Sequence, residues 1–255
     1  MNRQTTSAGF LLLLVALLGA GCSTAPAKTS GQPPDRPYYS SSDLRVGDTV
    51  SPLEINDPWE GMNRSIYRFN SYADRYVLNP AVSAYRFVLP EIVRKGVSNF
   101  FVNLDNIQTL INQVLQLHPM PALETTGRFL VNTTVGIGGL FDVATPLGIP
   151  QHLEDFGQTL GRYGVGNGPY LVLPLFGPSF VRDALGRGVD SQVFTAIDPL
   201  QMDESDARKY GYYSLLVLDT RSTTSFQYYQ TGSPFEYELV RMMWATKRKL
   251  DVEKQ

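Results

Sequence analysis

The sequence predicts a mainly α-helical protein held at a membrane, and three observations carry that reading. Apolar residues recur at spacings of three and four through most of the chain beyond Asp57, while continuous apolar–polar alternation is scarce. Two segments, Asp57-Pro58-Trp59-Glu60 and Ser233-Pro234-Phe235-Glu236, set a capping residue, a first-turn proline and a glutamate at the offsets of a capping box. The N-terminus, finally, is an export signal that ends on the single cysteine of the chain.

In chain order, the signal comes first. Met1 to Gly21 has Arg3 as its only charged side chain and an apolar stretch from Phe10 to Leu18, shorter than the roughly 20 apolar residues a spanning helix needs. Small residues then lead through Gly19-Ala20-Gly21 to Cys22, the form of a secretory signal and its cleavage site. The stretch resembles a bacterial lipobox, in which the cysteine becomes the acylated N-terminus, although Gly19 stands where leucine is usual. A sole cysteine in an exported protein needs a partner or a modification, which agrees with acylation. Acylated, it leaves the folded part without a thiol, so disulfides, cysteine-ligated metals and cysteine nucleophiles are excluded together. The alternative is an ordinary signal cleaved nearby, with Cys22 free. Ser23 at the next position resembles lipoproteins sorted to the outer membrane.

Residues 1–21 therefore read as signal peptide and 22–50 as a lipidated tether, rich in Ser, Thr, Pro and Gly. Residues 51–250 form the folded domain and 251–255 a short tail. The whole chain has 22 basic and 24 acidic side chains. With no basic excess to neutralise phosphates, nucleic acid is excluded as a partner.

In the folded part, Asp57 starts a helix whose apolar face is Trp59, Met62, Ile66, Phe69, Ala73 and Tyr76. Asn79-Pro80 starts a second, broken by Pro90. Val93, Val97, Phe100, Phe101 and Leu104 mark a third. Asp105 then reads as the cap of a fourth, carrying Ile107, Leu110, Ile111, Val114 and Leu115. Pro119 and Pro121 separate these from a fifth, near Leu123 to Thr134. From Val135 to Gly168 the chain is glycine-rich and irregular. Helical spacing returns over Asp203 to Leu218 and from Ser233 toward Lys249.

Few residues offer chemistry. His118 precedes Pro119 at a helix end, and His152 beside Glu154 and Asp155 reads as a polar turn rather than a metal or acid–base site. Neither a G-x-S-x-G elbow nor an S-x-x-K motif occurs. Asp203, Glu204 and Asp206 lack calcium-loop spacing and read as a helix start. Gly136-Ile137-Gly138-Gly139 and the glycines from Gly161 to Gly168 do not fit a phosphate loop. They supply tight turns or close packing instead. Lys247, Arg248 and Lys249, after Met242, Met243 and Trp244, read as the solvated tip of a core stripe or as a contact for lipid headgroups. The sequence thus predicts no catalytic set, no metal site and no cofactor.

The most unusual segment is Tyr170-Leu171-Val172-Leu173-Pro174-Leu175-Phe176, seven apolar residues around a proline that cannot sit in a central strand. It is too short to cross a bilayer. In a chain already tethered to a membrane, it can lie in that membrane if its backbone is packed against protein or lines a passage. The alternative is an ordinary buried loop.

"NDPWEGMNRSIYRFN", "GVSNFFVNL", "GRFLVNTTVGIGGLFDVA", "EDFGQTLGRYGVGNGPYLVLPLFGPSFVRD" and "SPFEYELVR" together resemble the MlaA (VacJ) family of outer-membrane lipoproteins. The likeness is dense from about Asn56 to Val189 and looser to Arg248. Ser233-Pro234-Phe235 departs from the Asp-Pro-Tyr of the family. The resemblance implies a ring-like helical protein embedded in the inner leaflet of the outer membrane of a Gram-negative bacterium, anchored through Cys22. It further implies an amphipathic central channel that removes phospholipid from the outer leaflet, beside a trimeric porin, and passes it to an MlaC-like periplasmic carrier. Bound phospholipid is then cargo, not cofactor. By position in the motif, the channel wall falls on Val135 to Leu147, with Gly136, Gly138 and Gly139 as its flexible part and Leu140, Phe141, Asp142 and Leu147 beside them. Trp59, Tyr67, Phe69 and the run Tyr170 to Phe176 would face lipid or the ring interior. Two rival classes stay open: a structural lipoprotein that braces porins, and a lipolytic enzyme with His118 or His152 as base.

Overall fold

The computed structural model describes residues 55–254. The signal peptide, Cys22 and the tether lie outside the described residues. What is described is mainly helical. A long first arm consists of α1 (Glu60–Ala73), a π-helical turn (Asp74–Leu78) and α2 (Asn79–Val88), continuous until Pro90. Then come α3 (Glu91–Leu115), α4 (Pro119–Thr134), a looped stretch, α5 (Phe156–Arg162), and a hairpin of β1 (Tyr170–Leu173) and β2 (Gly177–Phe180). The chain closes with α6 (Val181–Ile197), a 3-10 turn (Met202–Glu204), α7 (Asp206–Thr223) and α8 (Glu236–Glu253). Prolines fix two of these boundaries: Pro119 sits in a first turn, where a missing N–H costs nothing, and Pro90 caps α3.

Several expectations need correction. The predicted third and fourth helices are one, and Asp105 is a mid-helix residue of α3 rather than a cap. A carboxylate that is a good cap in isolation is overridden when the apolar spacing continues on both sides of it. Asp57 is not an N-cap either: it accepts from Asn63 Nδ2 (2.7 Å), Tyr237 Oη (2.6 Å) and an Arg241 guanidinium NH2 group (2.8 Å). It therefore fastens the start of α1 to α8. Glu236 likewise accepts from Tyr67 Oη (2.9 Å), the backbone N–H groups of Tyr229 and Thr231, and the Thr231 hydroxyl, closing the turn before α8.

The apolar run 170–176 is not a loop, as the proline suggests, but part of a sheet. It is one strand and the turn of the two-stranded antiparallel hairpin, with Tyr170 opposite Phe180 and Leu173 opposite Gly177. The strand stops one residue before Pro174, which is why the proline is tolerated. The outer edge of β1 is satisfied by two carboxamides from α1. Asn63 accepts from Val172 N–H (2.9 Å) and donates to Tyr170 C=O (3.1 Å); Asn70 accepts from Leu175 N–H (2.7 Å) and donates to Leu173 C=O (2.9 Å). Side chains seven apart on a helix share a face, so these two act as a strand of side chains. They leave few orphaned backbone groups.

Beneath the hairpin lies the apolar core, small and aromatic. Tyr67, Tyr170, Val172, Phe180, Tyr229, Tyr237 and Val240 are buried together. Tyr67 meets Tyr228, Tyr229 and Tyr237 edge-on, with centroids 4.9–5.8 Å apart.

Candidate functional site

The described helices have an unusual polarity. Of the predicted apolar face of the first arm, Trp59, Met62, Phe69 and Tyr76 are exposed and Ile66 packs against the aromatic core, while Asn63, Asn70, Ser71 and Asp74 are buried. On α3, Ile92, Val93, Val114 and Leu115 face out. Asn103, Asn106, Thr109, Asn112, Gln113 and Gln116 face in. On α4, Met120, Leu123 and Leu130 are exposed and Thr125, Arg128 and Asn132 buried. The extreme is Phe87, 92% exposed at the end of α2. Scattered exposed apolar residues are ordinary, but buried amides opposite exposed apolar faces on one helix after another are not. Hydrophobic periodicity locates the apolar face and does not say whether protein or something else covers it.

The buried amides form a seam along α3. Asn112 donates to Asp190 on α6 (3.0 Å) and accepts from the Thr159 hydroxyl on α5 (2.7 Å); Gln116 donates to Thr159 (3.0 Å). Facing α4, Asn103 donates to Thr133 (2.9 Å). Asn106 Nδ2, both polar atoms of the Gln113 amide and Thr125 Oγ1 are buried with no hydrogen-bond partner among the described residues. Orphaned groups of this kind cost about 1–3 kcal/mol each unless water or another polar group meets them.

Val135 to Leu147 crosses the end of α4. Val135, Ile137, Leu140, Phe141 and Leu147 are exposed, in keeping with the polarity of the helices. Asp142 does not stand free. It accepts from Arg128 (2.7 Å), Asn132 (3.1 Å), Thr145 N–H (3.2 Å) and the Thr145 hydroxyl (2.6 Å). Burial works to raise this carboxyl, yet Thr145, Arg128 and Asn132 hold it below the usual range. Arg128 is 1% exposed and also donates to Thr145 Oγ1 (2.9 Å) and Ile149 C=O (3.0 Å). The glycines close the turn. A side chain at Gly136 would meet Phe141 and Asn132 carbonyls at 2.2 and 2.4 Å; Gly139, at φ +89°, would meet the Asn103 side chain at 2.7 Å. Gly138 also has positive φ but faces open space. Here the glycines shape a tied loop, with backbone bonds from Gly138 and Gly139 to Thr133 and Asn132 (both 2.8 Å).

The other site residues divide. Trp59, Phe69, Leu175 and Phe176 are exposed, Pro174 lies at the surface of the turn, and Leu171 and Leu173 are half-buried. Tyr67, Tyr170 and Val172 are sealed in the aromatic core and have no face left for lipid. Of the predicted solvated tip of α8, Lys247 and Lys249 are exposed, but Arg248 is buried between Asp155 and Asp183.

His118 and His152 come together, which the sequence did not suggest. With Met120, Leu153, Glu154, Gln158, Asp251 and Lys254 they line a recess of about 580 Å³. His152 Nε2 lies 2.7 Å from Glu124 Oε2. Burial raises Glu154 to about 7 despite its bond from Gln116, while burial and then Arg162 lower His118. The lining includes no hydroxyl or thiol. Among the described residues, no group of three or more His, Cys, Asp or Glu is placed to hold a metal ion, and no helix is long and apolar enough to cross a membrane.

Comparison with known proteins fits this geometry. The model of the family described as MlaA lipoprotein matches residues 55–251. A Rickettsia felis protein is 44% identical over 131 residues, 51% of this chain and 52% of its own length. The intermembrane phospholipid transport system lipoprotein MlaA of Escherichia coli is 40% identical over 139 residues, 53% of this chain and 55% of its own. That of Haemophilus influenzae is 36% identical over 148 residues, 56% of this chain and 59% of its own. The chain thus spans little more than half the length of these relatives. A solved structure that explains the maintenance of bacterial outer membrane lipid asymmetry superposes with a TM-score of 0.61 at 30% identity, covering 77% of this chain and 98% of that one. With one family model over nearly the whole described part and a matching fold, the chain belongs to the MlaA lipoprotein family.

Proposed function

We propose that this protein is a lipoprotein of the outer membrane that takes phospholipid from the outer leaflet and releases it toward the periplasm. The observation that carries the reading is the inverted polarity: apolar side chains outward, amides and hydroxyls inward. Lipid around the outer faces would cover the exposed apolar residues, and a ring-like seat in the inner leaflet would need no spanning helix. Family membership supports the same reading, since named relatives act in intermembrane phospholipid transport.

A phospholipid has on the order of 30 methylenes, so pulling one through water costs about 25 kcal/mol at ~0.8 each. A path apolar for the chains and polar for the headgroup removes most of that barrier. The seam along α3 supplies polar groups for such a path, and Leu140, Phe141 and Leu147 beside the Asp142 cluster supply an apolar edge. Lipid then leaves to an MlaC-like carrier, with a trimeric porin beside the ring as scaffold. No catalysis is part of this reading. A recess lining without hydroxyl or thiol favours transport over lipolysis through a nucleophile of this chain.

Anchoring falls to Cys22. In the bacterium that makes this protein, loss of the chain raises outer-leaflet phospholipid and sensitivity to detergent with chelator, and the wild type restores both. Cys22→Ala takes up no labelled palmitate and restores them poorly. Full palmitate labelling of Cys22→Ala would refute the anchor. Unchanged outer-leaflet phospholipid on loss of the chain would refute the transport reading.

A further inference from the structure

We infer that Asp105, framed by Phe101, Phe194 and Tyr212, receives the ammonium of a zwitterionic phospholipid headgroup, so that the protein discriminates among lipids by charge; this rests on the transport reading above. Phe101, Asp105, Gln108 and Asn112 follow one another at spacings of four, three and four, and so form a single stripe of α3. Both ends of that stripe are closed by neighbouring helices. At one end the Phe101 ring meets Tyr212 of α7 edge-on, with centroids 5.5 Å apart; at the other, Asn112 donates to Asp190 of α6 (3.0 Å). Phe194, one turn from Asp190 on α6, stacks on the same Tyr212 at 6.0 Å. Three helices therefore meet around the stripe, and Asp105 lies between the two closures.

Asp105 is accessible to solvent, yet it is crowded enough that burial alone pushes its carboxyl up to about 6. No hydrogen bond or ion pair to it exists among the described residues, and no cation among them offsets its charge. Burial, and next Asp105 itself, raise Tyr212 to about 12, which places the carboxylate near that ring. An unpaired carboxylate beside a cluster of aromatic rings has the chemistry that recognises organic ammonium groups. The acid supplies charge and the rings supply cation–π attraction. An anionic headgroup without an ammonium meets repulsion at the same place.

The test is lipid retention from mixed micelles holding equal amounts of phosphatidylethanolamine and phosphatidylglycerol, read by native mass spectrometry. The wild type is expected to retain the ethanolamine lipid about tenfold over the glycerol lipid, and Asp105→Asn to retain the two about equally. Phe194→Leu, which keeps the charge and removes one ring, reduces the preference a few-fold and serves if the asparagine variant does not accumulate. Soluble phosphoethanolamine displaces the lipid only at large excess. Displacement at equimolar amounts would identify the free amine as the ligand and overturn the proposal. Equal retention by the wild type, or an undiminished preference in Asp105→Asn, overturns the headgroup assignment and leaves transport standing. Retention of neither lipid by the wild type overturns both.

Discussion

Replacing Arg248 with methionine is expected to lower folding stability by about 3–5 kcal/mol, the usual cost of stranding a buried ion pair. Its guanidinium donates to Asp155 through both terminal nitrogens (2.8 and 2.9 Å) and to Asp183 through Nε and one terminal nitrogen (2.9 and 2.8 Å). Asp155 also caps α5 through Gln158 N–H (2.8 Å), so one cation ties α8 to α5 and α6. Methionine fills a similar volume and removes both of these bonds to Asp183, which keeps its contact with Arg182 at 3.1 Å. The loss carries a pH signature. Burial works to raise Asp155, but Arg248 holds it below the usual range. A depressed carboxyl contributes stability above its unfolded value, near pH 4, and loses it as pH falls through the folded value. Wild type and variant should therefore differ most at neutral pH and converge in acid. Denaturant titrations in detergent at pH 7.5 and at low pH measure this; a constant difference, or none, contradicts it.

Gly136→Ala should be the most damaging small change in the loop after α4. A methyl group there lies 2.2 Å from Phe141 C=O and 2.4 Å from Asn132 C=O, both backbone, so no rotamer relieves it. The Phe141 N–H bond to Gly136 C=O (2.9 Å) and the Asn132 bonds to Val143 and Ala144 N–H (both 2.9 Å) must give way. Overpacking of this kind costs about 1–3 kcal/mol or more, and it moves the segment that carries Leu140, Phe141 and Asp142. Gly138→Ala is the control, because it meets open space and has only its φ of +68° against it, about 1–2 kcal/mol. Lipid clearance is expected to fail in Gly136→Ala and to survive in Gly138→Ala. Wild-type clearance and stability in Gly136→Ala would show that the loop accommodates the methyl group and that its tied shape is not needed.

The sequence makes much of this legible and misleads in a consistent way. Pro90, Pro119 and the three-and-four spacing locate the long helices, because those signals are local. Asp105 reads as a cap for the same reason, since a cap is judged from a few neighbours and the residues of α6 and α7 are far off in sequence. The hairpin escaped because Pro174 demotes its run, whereas the strand ends at Leu173 and its edge is satisfied by Asn63 and Asn70, more than a hundred residues earlier. Arg248 looks like a solvated tip until Asp155 and Asp183 are brought to it. Most telling is the stripe from Trp59 to Tyr76, which periodicity marks as a face and of which the fold turns Trp59, Met62, Phe69 and Tyr76 outward.

Lipid content of the purified protein tests the central claim most directly. Full-length protein extracted from its own membranes in mild detergent and examined intact by native mass spectrometry is expected to retain phospholipid, and to exchange it for an isotopically labelled one added in micelles. Protein that stays folded, carries only its own acyl chains and takes up no labelled phospholipid would contradict a transporter and point to a structural lipoprotein.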